Sequence, residues 1–373
     1  MPSSEDAADA LASWLDEHAH RLRTLDPDDE DDADLEPLLG IVGDARVVAI
    51  GESMHRVHEF LDLRHRIFRF LNRRAGFTAL VIESGLPEGR RVDDWIRTGR
   101  GSLRRALREG IGYRFGACQE VLDQVTWMRE RAATGHPAPR FFGMDIPDSS
   151  ASALPGVLAA LDLLDEVDPL YAAHIRDTLL PRFAYLPEDR TGLAQAAPSI
   201  QAYLALTSEQ RAEITVGIAN LAARIRARRR EEIPAQGGGS LAADEVDFAI
   251  RAAESARAAD AFLQAMTAGP TRTWPPANVR DAWMADTVEW ILEREPRIVL
   301  AAANGHVQRT PFSAPPFVPD PMTTMGGAPL RPPGRGAGHH RHRVRRRGAV
   351  AAPTSSRGSA RPLPPVHRPD RAT

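Results

Sequence analysis

Four short apolar segments of the sequence each end at a side chain that can bind or transfer a proton. The first ends at Glu52 with His55 close behind, the second at Glu83, the third at Asp145, and the fourth leads to Asn304–Gly305–His306. An apolar run without alternation is typical of a parallel strand that is buried on both faces. Ligands of open α/β sheets bind beyond the carboxyl ends of the strands, so we expect these side chains to meet in one cleft.

The pair Glu52 and His55 lies where the first predicted strand passes into a helix, and Gly51 allows a tight turn there. An imidazole changes its protonation near neutral pH, and a carboxylate beside it can orient it as a general base. The competing interpretation is that Glu52 caps the next helix and that His55 is a partly buried spacer. From this segment alone, the two interpretations are balanced.

The same spacing raises the question of metal binding. Glu52-x-x-His55 resembles half of a helical di-iron motif, which needs a second copy on another core helix, and Glu17-x-x-His20 has the same spacing. His55-x-x-His58 is another candidate metal pair. Spacing alone supports these metal sites only weakly, so no cofactor is expected.

Glu83 directly ends a strand of buried character. Because the burial of an unpaired carboxylate is costly, we expect Glu83 to have a partner or to border a pocket, with helix capping before Ser84-Gly85 as the alternative. Asp145 is open to the same two interpretations. Since Pro147 follows it, we expect Asp145 to play a supporting role, either orienting a neighbouring base or fixing the loop.

Further candidates come from the start of a later helix and from the last strand. Asn278 suits a helix N-cap and Asp281 the third helical position, so local capping explains both. The N-terminus of a helix carries a partial positive charge, so this position does not stabilise the cation of Arg280. The functional alternative is that Arg280 faces an acidic cleft. A lone His306 after a turn would more often be structural, but the equivalent position of His55 strengthens a functional interpretation.

Two common kinds of site are not expected. Ser53 and Ser84 are candidate nucleophiles, but neither lies in a Gly-x-Ser-x-Gly elbow, so a serine-hydrolase triad is not indicated. The run Gly237–Gly239 lies between predicted helices and is typical of a linker rather than of a phosphate-binding loop.

The elements that must position these residues form an α/β pattern. Strands are predicted at about 46–51, 80–83, 140–145 and 297–302. Their alternation with helices favours a mostly parallel sheet flanked by helices. Residues 154–268 form an almost wholly helical stretch, which we expect to be a large insertion that covers the carboxyl ends of the strands as a lid. Near the N-terminus, residues 5–23 predict an amphipathic helix and residues 26–34 an acidic, solvated loop.

Composition is that of an ordinary globular protein, with 373 residues of which 43% are hydrophobic and 26% charged. The single cysteine, Cys118, excludes an intramolecular disulfide and fits a reducing compartment. No signal peptide and no membrane span are recognised, so a cytoplasmic location without a membrane partner is expected. Residues 331–373 carry eleven arginines and one acid, so the net charge of −3 leaves about −13 for residues 1–330. An acidic body argues against nucleic-acid binding there.

Five ordered motifs together resemble the erythromycin esterase family. They are Gly51-Glu52-Ser53-Met54-His55 with Glu59-Phe60, Val81-Ile82-Glu83-Ser84-Gly85, Gly143-Met144-Asp145-Ile146-Pro147, Arg280-Asp281-Ala282-Trp283-Met284-Ala285 and Ala303-Asn304-Gly305-His306-Val307-Gln308. Each motif is modest alone, but the ordered set is specific and covers roughly residues 10–325. The resemblance implies an α/β fold with a helical covering layer and hydrolysis of a macrolide lactone, which is an internal ester.

The resemblance also implies roles for individual residues. His55 matches the general base that activates water, and Glu52 and Glu83 match its acidic partners. Arg280 and His306 match the residues across the cleft that position substrate or stabilise the oxyanion. Ester hydrolysis needs these two functions, and the pattern contains no nucleophile, so direct attack by water is the expected mechanism. The expected supporting residues are Asp145, Asp281 and Asn304.

The expected function is therefore carboxylic ester hydrolysis of the erythromycin esterase type, with macrolide resistance or detoxification as its consequence. Its expected partner is a small-molecule ester or lactone. A different class of function stays open, namely a metal- or ligand-binding protein without turnover. The ligands of a divalent metal would then be Glu52, His55, Glu83 and His306, because imidazoles and carboxylates both bind such ions. An inactive truncated homologue is the third alternative.

Two features depart from the family pattern. Many members have glycine after the first histidine, where this chain carries Arg56, a bulky cation at the cleft mouth. After Met325–Gly326 the family continues with a helix and a core strand, whereas this chain becomes rich in Pro, Gly, Arg and His without apolar periodicity. We therefore expect an esterase-like domain over residues 1–326 and a disordered basic tail over 327–373.

The genetic code suggests an origin for this tail. Residues 338–343 read Gly-His-His-Arg-His-Arg. Suppose that the arginines use CGN codons and that the reading frame is shifted by one base. Each histidine codon is then replaced by a codon for Ile or Thr, and the other codons of the run encode Val, Ala, Asp or Gly. We hypothesise a frameshift close to Gly326 that hides a strand, and an early stop in the other frame would exclude it. A lost strand would expose a sheet edge, so poor stability and weak activity are expected.

Overall fold

The computed structural model describes residues 4–134, 138–189, 196–235, 240–267, 276–315 and 318–328. Its centre is a sheet of four strands, β1 (Val47–Glu52), β2 (Ala79–Gly85), β3 (Arg140–Asp145) and β4 (Ile298–Ala303). All neighbouring strands are parallel, and their order is β1-β4-β2-β3. Every residue of β2 is buried, as its unbroken apolar run predicts for a strand covered on both faces. The predicted parallel α/β sheet is confirmed.

The register of the strands aligns their carboxyl ends. Glu52 of β1 lies opposite Ala303 of β4, and Ile82 of β2 lies opposite Ala301. The pairing of β2 with β3 shifts after Ile82, so that Gly85 lies opposite Asp145. The four polar strand endings therefore lie at one edge of the sheet.

Helices of the N-terminal part surround this sheet. They are α1 (Ser4–His18), α2 (Pro37–Val42), α3 (His58–Ala75), α4 (Leu86–Thr98), α5 (Leu103–Gly110) and α6 (Gln119–Ala133), with a 3-10 turn at Phe115–Ala117. Phe68 and Leu71 of α3 and Ile96 of α4 pack into one apolar core with Leu80 of the sheet. The chain leaves α3 at Gly76, where φ is 67°, a conformation that glycine adopts without strain.

The acidic segment before β1 is a loop, as predicted, but it is not simply solvated. It lies along α3, where Asp34 pairs with the buried Arg66 at 2.6 Å and Asp32 pairs with Arg73 at 2.6 Å. The hydrogen bond from Arg66 is the main cause that holds the pKa of Asp34 well below its usual value. The sequence pattern missed these ion pairs because their partners are the arginines of a different element.

The apolar side chains Leu11 and Trp14 of α1 are exposed.

A large helical insertion separates β3 from β4, as predicted. Its helices are α7 (Pro147–Ser150), α8 (Leu154–Val167), α9 (Pro169–Thr178), α10 (Ala196–Leu204), α11 (Ser208–Ala235), α12 (Ser240–Thr267) and α13 (Pro276–Leu292), with a 3-10 turn at Leu180–Phe183. The insertion has its own apolar core, in which α12 packs on α8 and α11. Its last helix, α13, also packs on β3, so the insertion reaches the edge of the sheet that carries the polar strand endings.

After β4, the short helix α14 (Asn304–Val307) is followed by a hairpin of β5 (Phe312–Ala314) and β6 (Val318–Met322), which the sequence did not predict. The predicted basic tail lies outside the described residues beyond 328, so the domain boundary at 326 and the frameshift stay predictions. Within the described part of the chain, β1 has a strand neighbour only on its β4 side and is an edge of the sheet. Among the described helices, none is long and apolar enough to cross a membrane.

Candidate active site

The strand endings bring the predicted side chains into one cluster. Glu52 ends β1, Glu83 lies two residues before the end of β2, and Asp145 ends β3, and all three side chains are buried. His306 follows β4 in α14, and α13 contributes Arg280. Because a buried carboxylate is stable only when it is paired, the partners of these groups define the site.

Glu52 and His55 form the first pair. Oε1 of Glu52 lies 2.6 Å from Nδ1 of His55, and the imidazole is 36% exposed. The ring of Phe115 contacts the imidazole edge-to-face at 5.3 Å. The hydrogen bond with Glu52 is the main cause that raises the pKa of His55, while burial opposes it and the charge of Glu83 adds to it. Since Glu52 engages Nδ1, Nε2 is the ring nitrogen left to act on a ligand.

Glu83 is the centre of the cluster. Its Oε1 accepts a hydrogen bond from Nη2 of Arg280 at 2.6 Å and lies 3.4 Å from Nε2 of His306 and 3.9 Å from Nε2 of His55. Its Oε2 accepts a hydrogen bond from the backbone N–H of Ala303 at 2.9 Å. Burial would raise the pKa of Glu83, but the hydrogen bond with His306 and the charge of Arg280 outweigh it and hold the pKa well below the usual value. Glu83 is therefore ionised, and it is not merely a helix cap.

Arg280 forms a two-pronged ion pair with Asp145. Its Nε donates to Oδ1 at 2.9 Å and its Nη2 donates to Oδ2 at 2.6 Å. This geometry is the strong form of an arginine–carboxylate contact. Burial would lower the pKa of Arg280, but the charge of Asp145 outweighs it and keeps the guanidinium protonated. Arg280, which helix capping did not explain, thus lies in the acidic cleft.

His306 is held between two carboxylates. Its Nδ1 lies 2.8 Å from Oδ1 of Asp281, whose Oδ2 accepts a hydrogen bond from the backbone N–H of Met325. Burial lowers the pKa of His306, but the hydrogen bonds with Asp281 and Glu83 outweigh it and raise the pKa to about 9. The imidazole is therefore a cation at neutral pH.

The capping interpretation of α13 is wrong. The helix begins at Pro276, so Asn278 lies inside it and donates from Nδ2 to the backbone oxygen of Thr323 at 3.3 Å. Asp281 is likewise inside the helix and contacts His306. Asn304 starts α14, and its side chain lies so close to Gly51 that a Cβ there would meet Oδ1 at 2.2 Å. Asn304 thus explains why residue 51 is glycine.

Tyr113 is a site residue that the sequence interpretation missed. Its hydroxyl donates to Oδ2 of Asp145 at 2.9 Å and contacts Ser150, and its ring faces the guanidinium of Arg280 at 5.3 Å. Tyr113 has a φ of 52°, an uncommon conformation for an L-residue. Tyr113 lies in a loop without a periodic sequence pattern, so no feature of the sequence predicted its role.

The helical metal motifs that spacing supported only weakly are not formed among the described residues. Glu52 and His55 lie on a strand end and the following turn, and His20 instead contacts the backbone oxygen of Asp34. His58 points away to Glu120 at 2.6 Å and to Asp62 at 3.1 Å. Across the described ranges, no group of three or more His, Cys, Asp and Glu side chains is arranged to hold a metal ion.

Comparison with known proteins places this chain in a family. The chain matches the family model for erythromycin esterase over residues 73–326. It is 29% identical over 307 residues to erythromycin esterase type II of Escherichia coli, and the alignment covers 80% of this chain and 69% of that protein. It is 23% identical over 296 residues to erythromycin esterase type I of Escherichia coli, which covers 78% of this chain and 68% of that protein.

A solved structure supports the fold independently. An erythromycin esterase mutant in its open conformation superposes with a TM-score of 0.65 at 22% identity, covering 81% of this chain and 71% of that one. The family match and the relatives define the class as hydrolases that act on esters. The chain belongs to the erythromycin esterase family. The matched residues include Glu83, Arg280 and His306, whereas Glu52 and His55 precede the match and rest on the geometry described above.

Proposed function

We propose that the chain hydrolyses the lactone of a macrolide, or a related ester, by direct attack of water that His55 activates. The observation that carries this proposal is the 2.6 Å contact between Glu52 and Nδ1 of His55. It fixes the ring so that Nε2 offers its lone pair toward the cleft. A base of this kind takes a proton from water as the water attacks the carbonyl carbon.

The cations across the cleft supply the second half of the chemistry. Arg280 and the imidazolium of His306 both lie on Glu83, with N···O distances of 2.6 and 3.4 Å. Attack on an ester places negative charge on the carbonyl oxygen, and fixed donors there stabilise the transition state. We assign this role to His306 and Arg280, with Glu83, Asp145 and Asp281 holding the two cations in place.

A covalent mechanism has little support from the serines near the cluster. Ser84 is fully buried, and its Oγ accepts a hydrogen bond from the backbone N–H of Gly112 at 2.8 Å. Ser53 is exposed and has no hydrogen bond to a histidine among the described residues. Direct attack by water therefore remains the mechanism that we propose.

The test is a screen of macrolides and simple lactones with the wild-type chain, a His55→Ala variant and a His58→Ala variant. We expect hydrolysis by the wild type and the loss of at least about a hundredfold in kcat with His55→Ala, the usual contribution of a general base. His58 lies three residues after His55, at the start of α3, and is held by Glu120, so it is the matched control and should leave hydrolysis unchanged. Hydrolysis that survives His55→Ala would remove this base from the mechanism.

A further inference from the structure

A buried arginine lies behind the proposed base. Arg64 of α3 is only 5% exposed, and it makes no ion pair with any residue that the structure describes. Its Nη2 donates to Oε1 of Gln124 at 3.2 Å, whereas its Nε has no hydrogen-bond partner among the described residues. A buried guanidinium with one neutral partner is costly, so the position of Arg64 calls for an electrostatic explanation.

A small cavity connects Arg64 to the site. Its volume is about 10 Å³, and its walls include Glu52, Glu83, Arg64 and Phe115. This volume has room for about one water molecule, and Glu52, Glu83 and Arg64 are the polar residues in the lining that could hold it. Arg64 and Glu52 thus line a common cavity.

The charges around Arg64 are few. Burial is the largest influence and lowers its pKa, and Glu52 is the carboxylate whose charge raises it. The attraction is mutual, so the cation of Arg64 also draws on the carboxylate of Glu52. Glu52 in turn holds Nδ1 of His55.

We propose that Arg64 is a positioning residue of the reaction, which holds the carboxylate of Glu52 aimed at His55 through a water in the shared cavity. The proposal rests on the assignment of His55 as general base. Arg64 does not touch substrate, and its effect reaches the reaction only through the Glu52–His55 pair.

The consequence for pH dependence has a definite sign. Removal of a buried positive charge near the site makes the His55 ring bind its proton more tightly. The base then stays protonated, and inactive, to a higher pH. The acid limb of the profile of kcat/KM should therefore move to higher pH, which a purely structural arginine would not cause.

The experiment compares Arg64→Met and Arg64→Lys with Arg69→Met as the matched control. Arg69 is a largely buried arginine of the same helix that pairs with Asp28, away from the cluster. We expect Arg64→Met to shift the acid limb upward by about half to one pH unit, with a lower kcat, and Arg64→Lys to recover most of the wild-type profile. An acid limb of Arg64→Met that coincides with that of wild type would overturn the proposal.

A second measurement separates this proposal from the proposed function. NMR titration of the His55 ring reads its proton affinity without any turnover, and the ring pKa should be higher in Arg64→Met than in wild type. If wild type hydrolyses no ester but the ring pKa responds, the proposed function fails and the link from Arg64 to His55 stands. If Arg64→Met does not fold, the same titration is made on Arg64→Gln, which keeps a donor for Gln124, and an unchanged ring pKa again rejects the proposal.

Discussion

The imidazolium of His306 should stabilise the folded chain in a way that depends on pH. The ring is mostly buried, and its contacts with Asp281 and Glu83 raise its pKa from 6.5 to about 9. Because the folded pKa lies above the unfolded one, this stabilisation is complete below about pH 6.5 and is lost as the pH rises through about 9. A shift of about 2.5 units corresponds to about 3 kcal/mol in the free energy of unfolding.

The assay is urea unfolding of the wild type and of His306→Gln at pH 6, 7.5 and 9.5. The glutamine cannot become a cation, so the variant should be less stable at pH 6 and the difference should shrink by about 3 kcal/mol toward pH 9.5. His55, whose pKa is also raised, contributes to both proteins and cancels in the comparison. A variant with His174→Gln controls for the loss of an exposed histidine. A difference between wild type and His306→Gln that stays constant over this range would refute the reasoning.

Three further predictions concern single features. Arg56 has a φ of 62°, so Arg56→Gly should raise the free energy of unfolding by about 0.5 kcal/mol, and an unchanged melting temperature would contradict this. Tyr113→Phe removes a hydrogen bond to Asp145 and should lower kcat/KM by about fivefold without unfolding the chain, as circular dichroism would check. Chelation with EDTA should leave hydrolysis unchanged, because Glu52 and Asp281 already engage ring nitrogens of the two histidines; a loss that zinc restores would favour the metal-binding alternative.

The strand endings were predictable because their signal is local. An apolar run that stops at a carboxylate or an imidazole can be recognised from a few neighbouring residues, and all four such runs are strands of the sheet. The order of the strands was not predictable, since it depends on contacts between distant parts of the chain. The ion pair of Arg280 with Asp145 also joins distant parts of the chain. The sequence indicated that Arg280 faces an acidic cleft, but not which carboxylate it binds.

The buried charges were the hardest to predict. Arg64, Arg66 and Arg69 look alike in the sequence of α3, yet Arg66 pairs with an acidic loop and Arg64 faces the cluster. Helical periodicity describes faces of a helix but cannot tell which neighbour covers each face. Tyr113 was missed for a related reason, because its role comes from an irregular loop that only the folded chain brings to Asp145.

The position of β1 at the margin of the sheet has a consequence for how activity would be lost. Glu52 and the turn to His55 belong to β1, which has a single strand neighbour in the described part of the chain, while Glu83 belongs to β2, which lies between two others. Local opening of a protein begins where few contacts resist it. We therefore expect Glu52 and His55 to separate from the rest of the cluster while the insertion and the inner strands stay folded. Thermal inactivation and global unfolding should then be two events, the first of which occurs at β1.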